Sequence, residues 1–228
     1  MSSLSAAAGG MVRRVLVRSL SDVIVENVPA PVPSPGEVVV SSSVAGICGS
    51  DVHAAAGRHP FISLPFHPGH EVVGVVEAVG PDVDPAWIGK RVVIEPNLAC
   101  GTCEQCKEGS YNICQTLEVF GCQTPGGMTD AFYIAIDRLH ELPDALSDSQ
   151  AALVEPLATP VHAVRRAGDL SGCRVAILGA GPIGLFVLLA AIRAGAVSVV
   201  VGDLLETKRA RAERLGAAGS FDRRLLTA

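Results

Sequence analysis

Residues 174–203 read RVAILGAGPIGLFVLLAAIRAGAVSVVVGD. The order is an apolar strand, a glycine turn, an apolar helix and a second strand, which makes a βαβ unit. The turn is Gly179-Ala180-Gly181-Pro182-Ile183-Gly184, a G-x-G-x-x-G. Alone that pattern says little. Here it follows a buried strand, opens a helix, and has Asp203 standing 19 residues beyond its last glycine, as a dinucleotide fingerprint requires. Gly179 permits the tight turn, Gly181 lets backbone approach a pyrophosphate, and Gly184 lets the helix pack closely on the strand. The helix N-terminus, entered through Pro182 and Ile183, supplies free N–H groups and a positive dipole. Asp203 suits the hydroxyls of an adenosine ribose and repels a 2′-phosphate, so NAD is expected over NADP. Lys208 completes the candidate cofactor set, although it and Arg209 also read as a solvated helix face. The plain alternative is a βαβ unit that binds nothing.

Outward from this unit, a second helix is expected from about Glu206 to Leu215, stopped by Gly216, with a third strand beginning around Ser220–Phe221. On the other side, SDSQAALVEPLATPVHAVRRAG (147–168) has helical spacing, with Ser147 as N-cap and Pro156 and Pro160 interrupting it. Before it the texture is β. The runs VRRVLV, DVIVENV, GEVVVSSSVAGIC, EVVGVVEAVG, KRVVIEP and FYIAI are separated by Pro/Gly turns such as PAPVPSPG and GPDVDP, which predicts a compact barrel or sandwich. Residues 1–10 are expected to be a flexible tail, 11–157 a β-rich domain and 158–228 a partial dinucleotide-binding domain.

Within the β-rich part, ACGTCEQCKEGSYNIC places Cys100, Cys103, Cys106 and Cys114 at C-x2-C-x2-C-x7-C. One loop can wrap four thiolates around a tetrahedral ion and leave no open position, so structural zinc is expected. A ferredoxin cluster calls for a shorter third gap and a proline after the last cysteine, where this chain has Gln115. Disulfides need an oxidising compartment. The opening MSSLSAAAGGMVRR lacks the charged-then-apolar order of a signal peptide, and the apolar stretch from Val175 to Ile192 is broken by glycines and a proline. A cytoplasmic protein is therefore expected. A formal net charge of −5 gives no footprint for nucleic acid or an anionic membrane.

A second constellation is scattered. Cys48 lies in GICGSDVH, His70 and Glu71 in HPGHE, and Glu155 in VEPLATP. A thiolate, an imidazole and one or two carboxylates can hold a metal and leave a position open. Singly, each has a dull alternative: a buried apolar cysteine, a hydrogen-bonded turn histidine, a charge at a helix end.

GICGSDVH, HPGHEVVGVVEAVG, the four-cysteine loop, EPLATPVHA and LGAGPIGL stand in the order seen in zinc-dependent medium-chain alcohol dehydrogenases. The chain resembles that family over Val12 to Gly216, most of all its polyol (sorbitol) and threonine dehydrogenase branch, to which Glu71 after His70 and Glu155 before a proline both point. The resemblance implies a GroES-like catalytic domain followed by a Rossmann domain, with two zinc ions per chain and NAD. The catalytic zinc would be held by Cys48 and His70 with Glu71, and Glu155 would bind it directly or through water. Ser50 would take the substrate proton, His53 pass it to solvent, and Asp51 orient His70. The implied reaction is hydride transfer from a secondary alcohol, a polyol or amino alcohol, to NAD. The partner is a small-molecule alcohol, with no nucleic acid or membrane, and the full-length form is expected as a homodimer or homotetramer. His59, His67, His140 and His162 receive no role, and Cys122 and Cys173 read as structural.

A dinucleotide fold of this type uses about six strands. Two strands and the start of a third are legible here, so the chain is expected to be C-terminally incomplete. A truncated, non-catalytic zinc-binding remnant is the alternative from a different class. A zinc-free quinone reductase relative is disfavoured by Cys48, His70 and the cysteine loop.

Overall fold

The structure is a computed structural model that describes residues 10–222 and 224. The flexible tail expected at the N-terminus lies outside the described residues, apart from residue 10. Two compact units divide the chain, one reaching to Glu155 and the other starting at Pro156.

In the first unit, β1 (Met11–Ser19) and β2 (Asp22–Pro29) form an antiparallel hairpin. β3 (Glu37–Ala45) leads into the short helix α1 (Gly49–Ala55), followed by β4 (Val72–Val79) and β5 (Arg91–Ile94). The cysteine segment, with its single helical turn α2 (Glu104–Lys107), is bounded by the paired two-residue strands β6 (Asn97–Leu98) and β7 (Glu118–Val119). β8 (Ala131–Ala135) and β9 (Leu139–Glu141) complete an antiparallel sheet of order β8-β3-β4-β5-β9.

Valine explains both the strands and their burial. Its branched Cβ favours extended backbone, and successive residues of a strand point to opposite faces. Val38, Val40, Val72, Val76 and Val92 enter one core with Phe120 and Phe132. Their neighbours Val39, Val73 and Val93 enter other clusters, Val39 with Val12 of β1 and the other two with Ala151 and Ala152. Each fully buried valine contributes roughly 1.5–3 kcal/mol of hydrophobic stabilisation. Of the barrel and sandwich expected, the pairing gives a sheet with apolar clusters on both faces. β8 and β9 remain its edges, and the hairpin joins through isolated bridges, Arg14 to Thr129 and Val17 to Phe66.

The next segment departs from expectation. Ser147 does cap α3 (Asp148–Ala151), its Oγ accepting from Gln150 N at 3.3 Å while Gln150 Oε1 accepts from Ser147 N at 3.0 Å. The prolines, however, do not interrupt the longer helix after it. α4 (Val154–Arg166) contains both. Pro156 sits in the first turn, where its missing N–H has no partner to lose, and Pro160 lies inside the helix with its ring fully buried. The break falls between α3 and α4.

The second unit alternates β10 (Arg174–Leu178), α5 (Pro182–Arg193), β11 (Ser198–Gly202), α6 (Glu206–Arg214) and β12 (Gly219–Phe221). The strands are parallel, in the order β10-β11-β12, around a core that includes Ile177, Leu188, Val199, Val201 and Ala212. The third strand expected to begin around Ser220–Phe221 is present as the three-residue β12. No helix among the described residues is long and apolar enough to cross a membrane.

Candidate metal centres and cofactor turn

The four cysteines of the 99–114 loop bring their sulfurs within 4.8 Å of one another. Cys100 and Cys106 are 4.0 Å apart and Cys103 and Cys114 3.9 Å. A tetrahedron with Zn–S bonds of 2.3 Å has edges of about 3.8 Å. A disulfide would need about 2.05 Å. Backbone N–H groups of Thr102 and Cys103 donate to Cys100 Sγ at 3.5 and 3.4 Å. Hydrogen bonds from the Thr102 hydroxyl and these N–H groups lower the Cys100 thiol to about 5. Desolvation and the neighbouring thiols push Cys106 up to about 12. Four sulfurs this close cannot all ionise alone; a divalent cation is what would let them.

The second cluster is assembled from separate elements. Cys48 is the N-cap of α1, and its N–H donates to Asp51 Oδ2 at 2.9 Å. His70 and Glu71 end the turn that enters β4. The donor atoms of Cys48, His70 and Glu71 lie within 4.8 Å of one another. Glu71 gets there because position 46 is glycine: a Cβ on Gly46 would stand 2.2 Å from Glu71 Oε2. Asp51 is 6 % exposed, and its Oδ1 has no hydrogen-bond partner. That atom faces His70 Nδ1 at 3.7 Å, which leaves Nε2 for a metal. A sulfur, an imidazole and a carboxylate, with a buried acceptor behind the imidazole, fit a zinc ion.

Electrostatics follow the geometry. His70's hydrogen bond, opposed by burial and aided by Ser50, draws the Cys48 thiol below its ordinary value. Burial pulls His70 down, but hydrogen bonding with Cys122 and Cys48 and the charge of Asp51 outweigh it, raising the imidazole to about 11. The Cys48–His70 pair thus holds a proton with which a cation competes. Burial raises Asp51, against His70, the Cys48 N–H and the charge of His59. Burial also raises Glu155, which lies within electrostatic reach of His70 and Glu71 but outside the three-residue cluster. His53 is exposed on α1.

Sequence reasoning missed three residues. Cys122, read as structural, has its Sγ 4.0 Å from His70 Nδ1. The signal for it was glycine density: Gly121, Gly126 and Gly127 surround it, as two closely opposed backbones require. His59, given no role, acts on Asp51. Arg209, read as part of a solvated face, donates through Nη1 to the carbonyls of Asp203 at 2.8 Å and Leu204 at 3.2 Å. These carbonyls come just after β11 and need a donor, which Arg209 supplies. Cys173, also read as structural, is exposed.

In the glycine turn, Gly179 has φ +110°. A Cβ on Gly184 would stand 1.9 Å from Gly179 O, whereas one on Gly181, the N-cap of α5, would meet nothing within 4 Å. Asp203 Oδ2 accepts from Ala180 N at 2.8 Å and Oδ1 from Leu205 N at 2.9 Å. Those N–H groups, the Leu205 one foremost, hold its carboxyl below the usual range, with Lys208 contributing charge. The acid therefore fastens the turn to the end of β11 before any ligand arrives.

Residues 34–144 match the alcohol dehydrogenase GroES-like domain family. Sorbitol dehydrogenase from Ovis aries is 40 % identical over 208 residues, covering 89 % of this chain and 58 % of that protein. A solved zinc-binding dehydrogenase from Sinorhizobium meliloti, bound to NADP, superimposes with a TM-score of 0.88 at 35 % identity, over 95 % of this chain and 63 % of that one. An alcohol dehydrogenase from Escherichia coli, complexed with NADH, gives 0.88 at 32 % identity over 94 % and 63 %. The chain spans about 60 % of the length of the curated relatives it matches.

Proposed function

We propose that the chain, a member of the zinc-dependent medium-chain alcohol dehydrogenase family similar to sorbitol dehydrogenases, serves oxidation of a secondary alcohol, a polyol or an amino alcohol, with NAD. The observation that carries this reading is the gathering of Cys48, His70 and Glu71 within 4.8 Å, around a buried histidine. Bound zinc would supply Lewis acidity to a substrate hydroxyl, and bound NAD a hydride acceptor.

The chain's own residues do the rest. Cys48, His70 and Glu71 would hold the ion, with the Glu155 carboxyl within electrostatic reach of His70 and Glu71. Ser50, which helps lower the Cys48 thiol from two positions away at the start of α1, is assigned to take the proton of a substrate hydroxyl. His53, exposed on α1, is assigned to hand that proton to solvent. Gly179, Gly181, Pro182, Ile183 and Gly184 form the turn whose backbone N–H groups meet the cofactor pyrophosphate, and Asp203 selects the ribose hydroxyls. Lys208 adds positive charge beside them.

The relatives differ in cofactor, one bound to NADP and another to NADH. Preference for NAD rests on Asp203, with the Arg209 guanidinium already engaged by the carbonyls of Asp203 and Leu204. The test is a titration of the chain with NADH and NADPH together with an assay on sorbitol, threonine and 2,3-butanediol. Saturable NADH binding and NAD reduction by one of these alcohols supports the proposal. Metal uptake with neither leaves the non-catalytic zinc-binding reading.

A further inference from the structure

The loop 121–128 is laid against the turn 67–70 more closely than ordinary side chains allow. Gly126 N donates to His67 O at 3.0 Å, Gly127 N to Gly69 O at 2.8 Å and Met128 N to Pro68 O at 3.1 Å. A Cβ on Gly121 would stand 2.9 Å from His70 N, one on Gly126 2.5 Å from Pro68 O, and one on Gly69 2.2 Å from Met128 N. Three glycines are thus needed for the two backbones to meet. What their meeting achieves is the placement of Cys122, whose Sγ lies 4.0 Å from His70 Nδ1.

The same nitrogen faces Asp51 Oδ1 at 3.7 Å, so neither the sulfur nor the carboxylate alone makes a full hydrogen bond to it. Asp51 is not free to close that gap, because its other oxygen caps α1 by accepting from Cys48 N at 2.9 Å. A neutral imidazole that ligates through Nε2 carries its proton on Nδ1, and in a buried setting that proton needs an acceptor. Among the described residues, the tethered carboxylate and the sulfur of Cys122 both lie near Nδ1 to accept it.

We infer that Cys122 is a positioning residue for His70: its sulfur shares the Nδ1 proton with Asp51 and fixes the ring so that Nε2 faces Cys48 and Glu71. This role rests on the zinc site of the proposed function. Cys122 also borders a cavity of about 300 Å³ lined by Ser63, Phe66, His67 and Gln123. Shortening its side chain enlarges an existing space instead of opening a new one, so the fold is expected to survive.

The test titrates the metal-free chain with zinc against a competing chelator, in wild type, Cys122→Ala and Cys122→Ser, with the four-cysteine site as internal reference. Cys122→Ala is expected to weaken the second site about tenfold. Cys122→Ser, whose hydroxyl oxygen still accepts, is expected to recover most of that loss. Cobalt(II) in the second site should show shifted visible bands in Cys122→Ala, with the bands of the four-cysteine site unchanged. Unchanged affinity and spectrum in Cys122→Ala would overturn the positioning role and leave the zinc site standing. Weakening of both sites together would mark general destabilisation and overturn it too. A wild-type chain that takes up one ion would overturn the zinc site itself and this role with it.

Discussion

The four-cysteine lobe and the Cys48–His70–Glu71 cluster both gather donors within 4.8 Å, yet they are built in opposite ways. The lobe takes every ligand from one loop, and its sulfurs already sit near the edges of a zinc tetrahedron. The other cluster draws on the start of α1 and the entry to β4, with the 121–128 loop behind it. A loop site depends on its own ion to hold its shape, whereas a site between elements is held by the sheet and can spare its ion. On the proposed reading, metal in the first case would be folding free energy; in the second it would be available for chemistry.

The strongest way to break this contrast is a pair of substitutions. Cys103→Ser is expected to lower the thermal midpoint by about 10 °C, because the lobe loses the ion that shapes it. Cys48→Ala is expected to move the midpoint by less than about 3 °C while removing on the order of a thousandfold of the proposed alcohol oxidation. Equal midpoints measured by calorimetry would mean that the two ions do not divide the work in this way.

Smaller changes sharpen it. Gly46→Ala places a Cβ where the Glu71 carboxylate lies, and is expected to weaken the second metal about tenfold in a chelator competition, with no effect on the lobe. Asp203→Ser removes the two anchors of the glycine turn and the charge that repels a phosphate. NADH should then bind about tenfold more weakly, roughly 1.4 kcal/mol, and NADPH should gain on it. Fluorescence titrations that left the ratio of the two unchanged would remove Asp203 as the selector. His53→Ala should have the smallest effect, a few-fold loss of turnover partly rescued by imidazole buffer. An unaltered rate would take His53 out of the relay.

What was legible in the sequence was local. Gly179 and Gly184 announce their roles because each satisfies a steric need within its own turn, a φ of +110° and an approach to Gly179 O that forbids a Cβ. The cysteine spacing is equally self-contained, as is the Ser147 N-cap. What was hidden depends on distant partners. Cys122 meets His70 across 52 positions, and only the surrounding glycines hint that the backbones touch. Arg209 shows a charge in the sequence but not the two carbonyls that employ it. Average propensity makes Pro156 and Pro160 helix breakers, while their actual cost is set by a place in the first turn and by burial.

The most direct test of the contrast is the zinc content of the chain and of its Cys48→Ala variant, counted by native mass spectrometry. Two clusters of different construction call for two ions in the first protein and one in the second. A single ion in both, or the loss of both ions on changing Cys48 alone, would contradict the account.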